Sequence, residues 1–205
     1  MDDVAEELRV ARVAHRRQDW PEAYERLTTA RAATTLSAAD LEVLSDVAWW
    51  LGRVDECLEA GEAAYQAHCD AGRQRAAAMT ALELAVSLFL RGDEAPGSGW
   101  IGRAQRLLEP LPEGPEHGYV RYVVEVEGAL DGDDLEAVAT AGRAVHAIGR
   151  RHDDPNLQAM GVVGEGRARV RLGDVGAGMR LPTRPWSRPC RGGSSPSRPG
   201  TSIVI

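Results

Sequence analysis

Apolar positions recur along the chain with the three- and four-residue spacing of helix stripes, and the same short punctuation interrupts them at regular intervals. Leu51-Gly52-Arg53, Arg91-Gly92-Asp93, Asp131-Gly132-Asp133 and Leu172-Gly173-Asp174 place a glycine every 40 or 41 positions. A fixed period of that size marks a repeat protein. A stretch of helical length precedes each glycine and a second one follows it, so the glycine reads as the residue that ends one helix before the turn into the next. Each unit is then a helical hairpin. One hairpin cannot bury the apolar stripes of both its helices, so stacking neighbours into a right-handed solenoid is the expected architecture. The fold class is all-α.

The first hairpin is predicted over about 3–17 and 21–33, turning at Gln18-Asp19-Trp20 without a glycine, with Pro21 suited to a first helical position. Ser37, with Asp40 three residues on, is an N-cap for a helix to Leu51, and its partner runs over 54–71. The third pair covers 73–90 and then a weak helix to Leu108, weakened by Pro96, Gly97, Gly99 and Gly102. After the loop Glu109-Pro110-Leu111-Pro112-Glu113-Gly114-Pro115, the fourth pair spans about 116–130 and 134–151. A fifth begins after Asp154-Pro155 and reaches Leu172; its partner starts at Val175 and dissolves at Pro182. Residues 1–179 thus form a repeat domain of about four and a half hairpins, and 180–205 an Arg-, Pro-, Gly- and Ser-rich tail that composition marks as disordered. Ending without a polar capping helix leaves an apolar face on the last repeat, which favours self-association there.

Composition supports this and narrows function. Of 205 residues 43% are hydrophobic but only 5% aromatic, so the core is made of small and aliphatic side chains suited to close helix packing. The net charge of −7 is uneven: Asp174 is the last acid, and Arg180, Arg184, Arg188, Arg191 and Arg198 follow it. An acidic body is a poor surface for nucleic acid. No apolar run reaches the roughly 20 residues of a spanning helix, and the N-terminus is acidic where a secretory signal is basic, so a cytoplasmic protein is expected. Three scattered cysteines, Cys57, Cys69 and Cys190, give no disulfide framework. All 24 basic residues are Arg, which points to a GC-rich coding sequence.

Gln18-Asp19-Trp20-Pro21-Glu22-Ala23-Tyr24-Glu25-Arg26-Leu27 resembles the turn and second-helix start of a tetratricopeptide repeat, and Cys57 with Ala64, or Ala137 with Ala144, matches its small-residue positions. Ser37-Ala38-Ala39-Asp40-Leu41-Glu42, Ala48-Trp49-Trp50-Leu51-Gly52-Arg53, Glu56-Cys57 and Gly114-Pro115-Glu116-His117-Gly118 further resemble the repeat region of bacterial LuxR-type transcriptional regulators. The resemblance implies a regulatory or protein-interaction array. It carries over no DNA-binding activity, because no helix-turn-helix is among these residues. The alternatives are a frameshifted fragment with no independent function, or a standalone repeat adaptor.

In the tetratricopeptide register Leu41, Leu44 and Ala48 are packing positions. Arg12, His15, Glu42, Asp46, Trp49, Tyr119 and Tyr122 line the concave groove, an acidic and aromatic surface suited to an extended or helical partner segment. Met79, Leu82, Val86 and Phe89 occupy the equivalent third-repeat positions, either as a hydrophobic patch for a partner or, with a slip of register there, as core. Cys57, His68 and Cys69 share a helix but lack the spacing of a closed metal site, so no metal or cofactor is expected. Gly161-Val162-Val163-Gly164-Glu165-Gly166 follows no strand and precedes no phosphate-binding lysine; it reads as a close-packed helix rather than a nucleotide loop. No nucleophile stands beside an interpretable base, and an enzyme is not expected.

Back-translated with GC-rich codons and with one base restored after Leu181, the following residues can be read in another frame as an amphipathic helix, the helix the fifth hairpin lacks. Sequencing downstream of that codon is expected to find an open frame continuing into further helical repeats; early stops in every frame would refute a frameshift.

Overall fold

The computed structural model describes residues 2–180. Ten α-helices and one π-helical segment account for the ordered elements, with no strand among the described residues: α1 (Asp2–Arg16), α2 (Trp20–Ala33), α3 (Ala38–Trp50), α4 (Val54–Asp70), α5 (Gln74–Arg91), α6 (Glu94–Leu108), α7 (Pro115–Arg121), the π segment (Tyr122–Glu127), α8 (Leu135–Arg151), α9 (Pro155–Arg171) and α10 (Val175–Arg180). Of the expected tail, 180–205, Arg180 is the last residue of α10, and the rest, including Cys190, lies outside the described residues. The chain forms two compact units that meet in sequence at the last turn of α6, between Leu107 and Leu108.

In the first unit each helix packs on the next, from α1 through α5. Its core is built of Ala11, Ala14, Ala23, Ala30, Ala60 and Ala64 around Leu27, Leu44 and Val47. Alanines at the contacts let helix axes approach closely, which is what a chain poor in aromatics can fill without voids. The turns follow the sequence punctuation. Gly52, Gly72, Gly92 and Gly173 hold φ of 71°, 67°, 88° and 89°, the left-handed conformation that ends a helix. The first hairpin does this without glycine: Gln18 takes φ 61°. Gly132, though in the same sequence period, is not among the positive-φ residues. Ser37 caps α3 as expected, its Oγ accepting from the Asp40 amide (3.2 Å) and donating to the Asp40 carboxylate (2.6 Å).

Two elements differ from expectation. The weak helix is a complete one, α6: Pro96 falls in its first turn, where a missing N–H costs nothing, and Gly97 admits the Phe89 ring against its backbone. The fourth pair's first helix stays α-helical only to Arg121 and then widens, the Gly128 amide donating to Val123 O (2.9 Å) five residues back. Val123, Val124 and Val126 within this stretch crowd the preceding turn at Cβ and favour the looser winding.

In the second unit α8 and α9 touch backbone to backbone. A Cβ on Gly161 would stand 2.4 Å from the His146 amide nitrogen, and one on Gly142 would stand 2.6 Å from that of Glu165. The glycine-rich stretch is therefore a packing surface. The last hairpin leaves Val163, Val170, Leu172, Val175 and Met179 exposed. Among the described residues no helix is long and apolar enough to cross a membrane.

Replacing Gly161 by Ala is expected to loosen α8 by about 2 kcal/mol through overpacking, outweighing the gain in helix propensity. Gly99→Ala, with nothing within 4 Å of the added methyl group, is expected to stabilise α6 by about 0.8 kcal/mol. Native-state hydrogen exchange of the amides of each helix measures both.

Candidate functional site

The first helices of the three hairpins in the first unit, α1, α3 and α5, carry a polar surface that the alanine core does not need. From α1, Arg12 reaches Asp40 on α3 with two parallel bonds, Nε to Oδ1 at 2.8 Å and Nη2 to Oδ2 at 2.9 Å. The Asp40 side chain is only 2% exposed, so this fork and the Ser37 hydroxyl together compensate a buried carboxylate. One turn further along α1, His15 Nε2 donates to Asp46 Oδ2 at 2.7 Å. Between them Glu42 accepts from His68 Nε2 on α4 at 2.6 Å and from Thr80 Oγ1 on α5 at 3.2 Å. The spacing 42, 46, 49 keeps Glu42, Asp46 and the half-buried Trp49 on one face of α3. Leu41, Leu44 and Ala48 turn into the core, as the register required.

Four of the expected groove residues, Arg12, His15, Glu42 and Asp46, thus come together, with Trp49 on the same helix face. Tyr119 and Tyr122 belong to the second unit. Tyr119 donates to Asp154, the cap of α9, at 3.0 Å. Tyr122 is 3% exposed, packed on Val126 with Gly164 opening space for its ring, and bonded to Glu127 at 2.6 Å. Its burial pushes the phenol upward from its ordinary range, and the ring belongs to the core rather than to an accessible groove. Of the four apolar residues on α5 only Leu82 is core, while Met79, Val86 and Phe89 are half-buried, so a slip of register into the core holds for Leu82 alone.

Sequence reasoning missed His68, Trp20, Trp50 and Glu83 as members of this surface. His68 was considered only as a metal ligand; it is 5% exposed and its Nδ1 is buried without a partner. Cys57 on the same helix faces Ser45, and burial raises its thiol. Among the described residues no group of three or more His, Cys, Asp or Glu could hold a metal ion. Trp20 and Trp50 stack face to face, centroids 5.6 Å apart at 7°, and His15 meets Trp20 edge-on at 5.7 Å. Trp50 remains 45% exposed, so the pair is an aromatic shelf joined through His15 to the carboxylates.

The fourth is Glu83, the one acid on α5. Among the described residues no donor reaches it, and the charges that act on it are those of Glu42 and Asp46. Burial, with those two carboxylates second, pushes its pKa from an ordinary 4.5 up to about 8. Its signal in the sequence was a single carboxylate inside an otherwise apolar and small-residue helix. Chemically the surface is a polar cluster centred on Glu42, which His68 and Thr80 both meet.

No family model and no curated protein matches the chain. Among solved structures it is similar to a kinesin light chain of Podosopora anserina with nearly identical TPR-like repeats, at 16% identity and TM-score 0.59 over 87% of this chain and 90% of that one. A single-substitution variant of that protein matches at 16% identity and TM-score 0.60 with the same coverage. The likeness shows the fold: all-α, tetratricopeptide-like helical repeats.

A glutamic acid kept protonated by the fold binds a proton that the unfolded chain releases above pH 4.5, so its contribution falls as pH rises from 4.5 to about 8. Glu83→Gln is therefore expected to match the parent near pH 4.5 and to exceed it by on the order of 2 kcal/mol at pH 8. Urea unfolding followed by tryptophan fluorescence, which reports Trp20, Trp49, Trp50 and Trp100 of this unit, measures the difference.

Proposed function

We propose that the chain is a protein- or peptide-binding helical repeat module whose docking face is the α1, α3 and α5 surface of its first unit. The tetratricopeptide-like fold supports the general reading, since helical repeats of this kind bind partners rather than transform them. The observation that carries the location is the convergence of Arg12, His15, Glu42 and Asp46 on one face, beside the stacked Trp20–Trp50 pair, of which Trp50 is exposed. Polar side chains joined across helices are pre-organised, so a ligand need not order them. We also place the module in the lineage of LuxR-type regulators, on the segments 37–42, 48–53, 56–57 and 114–118, as a regulatory arm acting through protein contacts in the cytoplasm. The exposed valines of the last hairpin, with Leu172 and Met179, support self-association of the chain as a secondary contact.

Selection of peptides on the immobilised full chain is expected to yield binders whose affinity falls about tenfold or more in Trp50→Ala and Asp46→Arg, the loss of one well-placed contact. Glu25→Ala, exposed on α2, is expected to leave them unchanged. Binders indifferent to both face substitutions, or no enriched peptides at all, would overturn the reading.

A further inference from the structure

Electrostatic balance on this face is incomplete. Arg12 is held by Asp40 through both of its bonds, and Arg75, two turns before Glu83 on α5, has a partner of its own. His15 and His68 each meet one carboxylate, Asp46 and Glu42. Among the described residues Glu83 has neither a cation nor a hydrogen-bond donor, although it stands in the field of two carboxylates. The titratable groups that share its field are Glu42 and Asp46 on α3 and Cys57 on α4, and Thr80, which meets Glu42, stands one turn before it on its own helix. Yet Glu83 is not sealed off; its side chain is recessed but partly exposed. A recessed, accessible and uncompensated carboxyl is the point where this surface lacks a positive group.

The aromatic shelf makes a second, independent demand. Asp46 leads through His15 (2.7 Å) to Trp20 (5.7 Å) and so to the Trp20–Trp50 stack, whose outer ring is open to solvent. Planar cations and apolar side-chain stems are what such a face takes up. Carboxylates and an exposed indole in sequence match an arginine side chain better than an isolated ion: the guanidinium pairs with two acids while the rest of the segment lies on tryptophan.

We propose that the α1, α3 and α5 face of the first unit binds a peptide segment that presents an arginine, whose guanidinium enters between Glu83, Asp46 and Glu42 while the adjoining residue lies on Trp50. This rests on the reading of that face as the docking surface, and adds the chemistry of the partner. Binding replaces the proton on Glu83: the carboxyl releases it to solvent and accepts from the guanidinium. The apparent affinity therefore rises with pH through about 8, the value to which Glu83 is displaced.

The test uses the full chain and five decapeptide libraries, identical except for a fixed central Arg, Lys, citrulline, Gln or Glu. The Arg library is expected to be retained most. For its best members, changing Arg to citrulline, which keeps the shape and removes the charge, is expected to weaken binding about 30-fold. In Glu83→Gln that ratio is expected to shrink to roughly threefold, with citrulline peptides binding as before. Affinity for the Arg peptide is expected to rise about fivefold or more from pH 7 to pH 8.5 in the parent and to stay flat in Glu83→Gln. Peptides that dock on the face with Arg and citrulline equivalent, or an Arg preference that Glu83→Gln leaves intact, would overturn the proposal and leave the docking surface standing. If no library is retained, or if retention survives Trp50→Ala and Asp46→Arg, both fall.

Discussion

Close helix-to-helix approach is the constraint on which the rest of the structure depends. A chain with 5% aromatic residues cannot fill wide gaps between helices, so its helices must meet through alanine and glycine. In the first unit this gives an alanine seam from Ala11 to Ala64; in the second it goes further, with Gly142, Gly149 and Gly161 bringing backbones of α8 and α9 together. Small contacts leave little room for error. A single methyl group at Gly161 has nowhere to go, whereas one at Gly99 meets nothing. Turn geometry serves the same constraint, because left-handed residues at 18, 52, 72 and 92 let each helix double back at once on its predecessor.

Burying the alanine seam uses one face of each helix, and the opposite face of α1, α3 and α5 is where the polar groups collect. Asp40 marks the border between the two. It is buried like a core residue and hydrogen-bonded like a site residue, tying the α3 cap to Arg12 on α1. Removing Arg12 leaves a buried charge unpaired, which is far more costly than losing an exposed ion pair such as Arg9–Glu6. The site is thus rigidly joined to the fold at one end, while its other end, at Glu83, is uncompensated.

How much of this was legible in the sequence depended on whether the information was local. Periodic glycines, the Ser37 cap and the helical stripes each act within a few residues, and the hairpins follow from them. The positions of Arg12, His15, Glu42 and Asp46 were legible through the tetratricopeptide register that the resemblance implies, and their three- and four-residue spacings keep each pair on one face of its helix. Trp20 and Trp50 stack across 30 positions, and no local rule relates them. His68 comes from a second helix, which the repeat register assigns to packing. Tyr122 matched the register but is buried, because Gly164 on a later helix opens the slot that takes its ring. Helix α6 formed despite two helix-weakening residues near its start because Pro96 sits in the first turn and Gly97 receives Phe89, facts of position and tertiary contact rather than propensity.

Glu83 bears on why such a surface persists. An acid that the fold must hold protonated is a local error by the rules that built the alanine seam, and an apolar residue at that position of α5 would make a more stable first unit. Natural chains keep such conflicts mainly at functional sites, where the unfavourable free energy of the empty state is offset when the right ligand arrives. The cost is also selective. A neutral ligand leaves the carboxyl protonated and recovers nothing, a second acid adds to the field of Glu42 and Asp46, and a cation removes the conflict. On the proposed docking surface, what looks like a defect in packing is the group that would tell one charge from another.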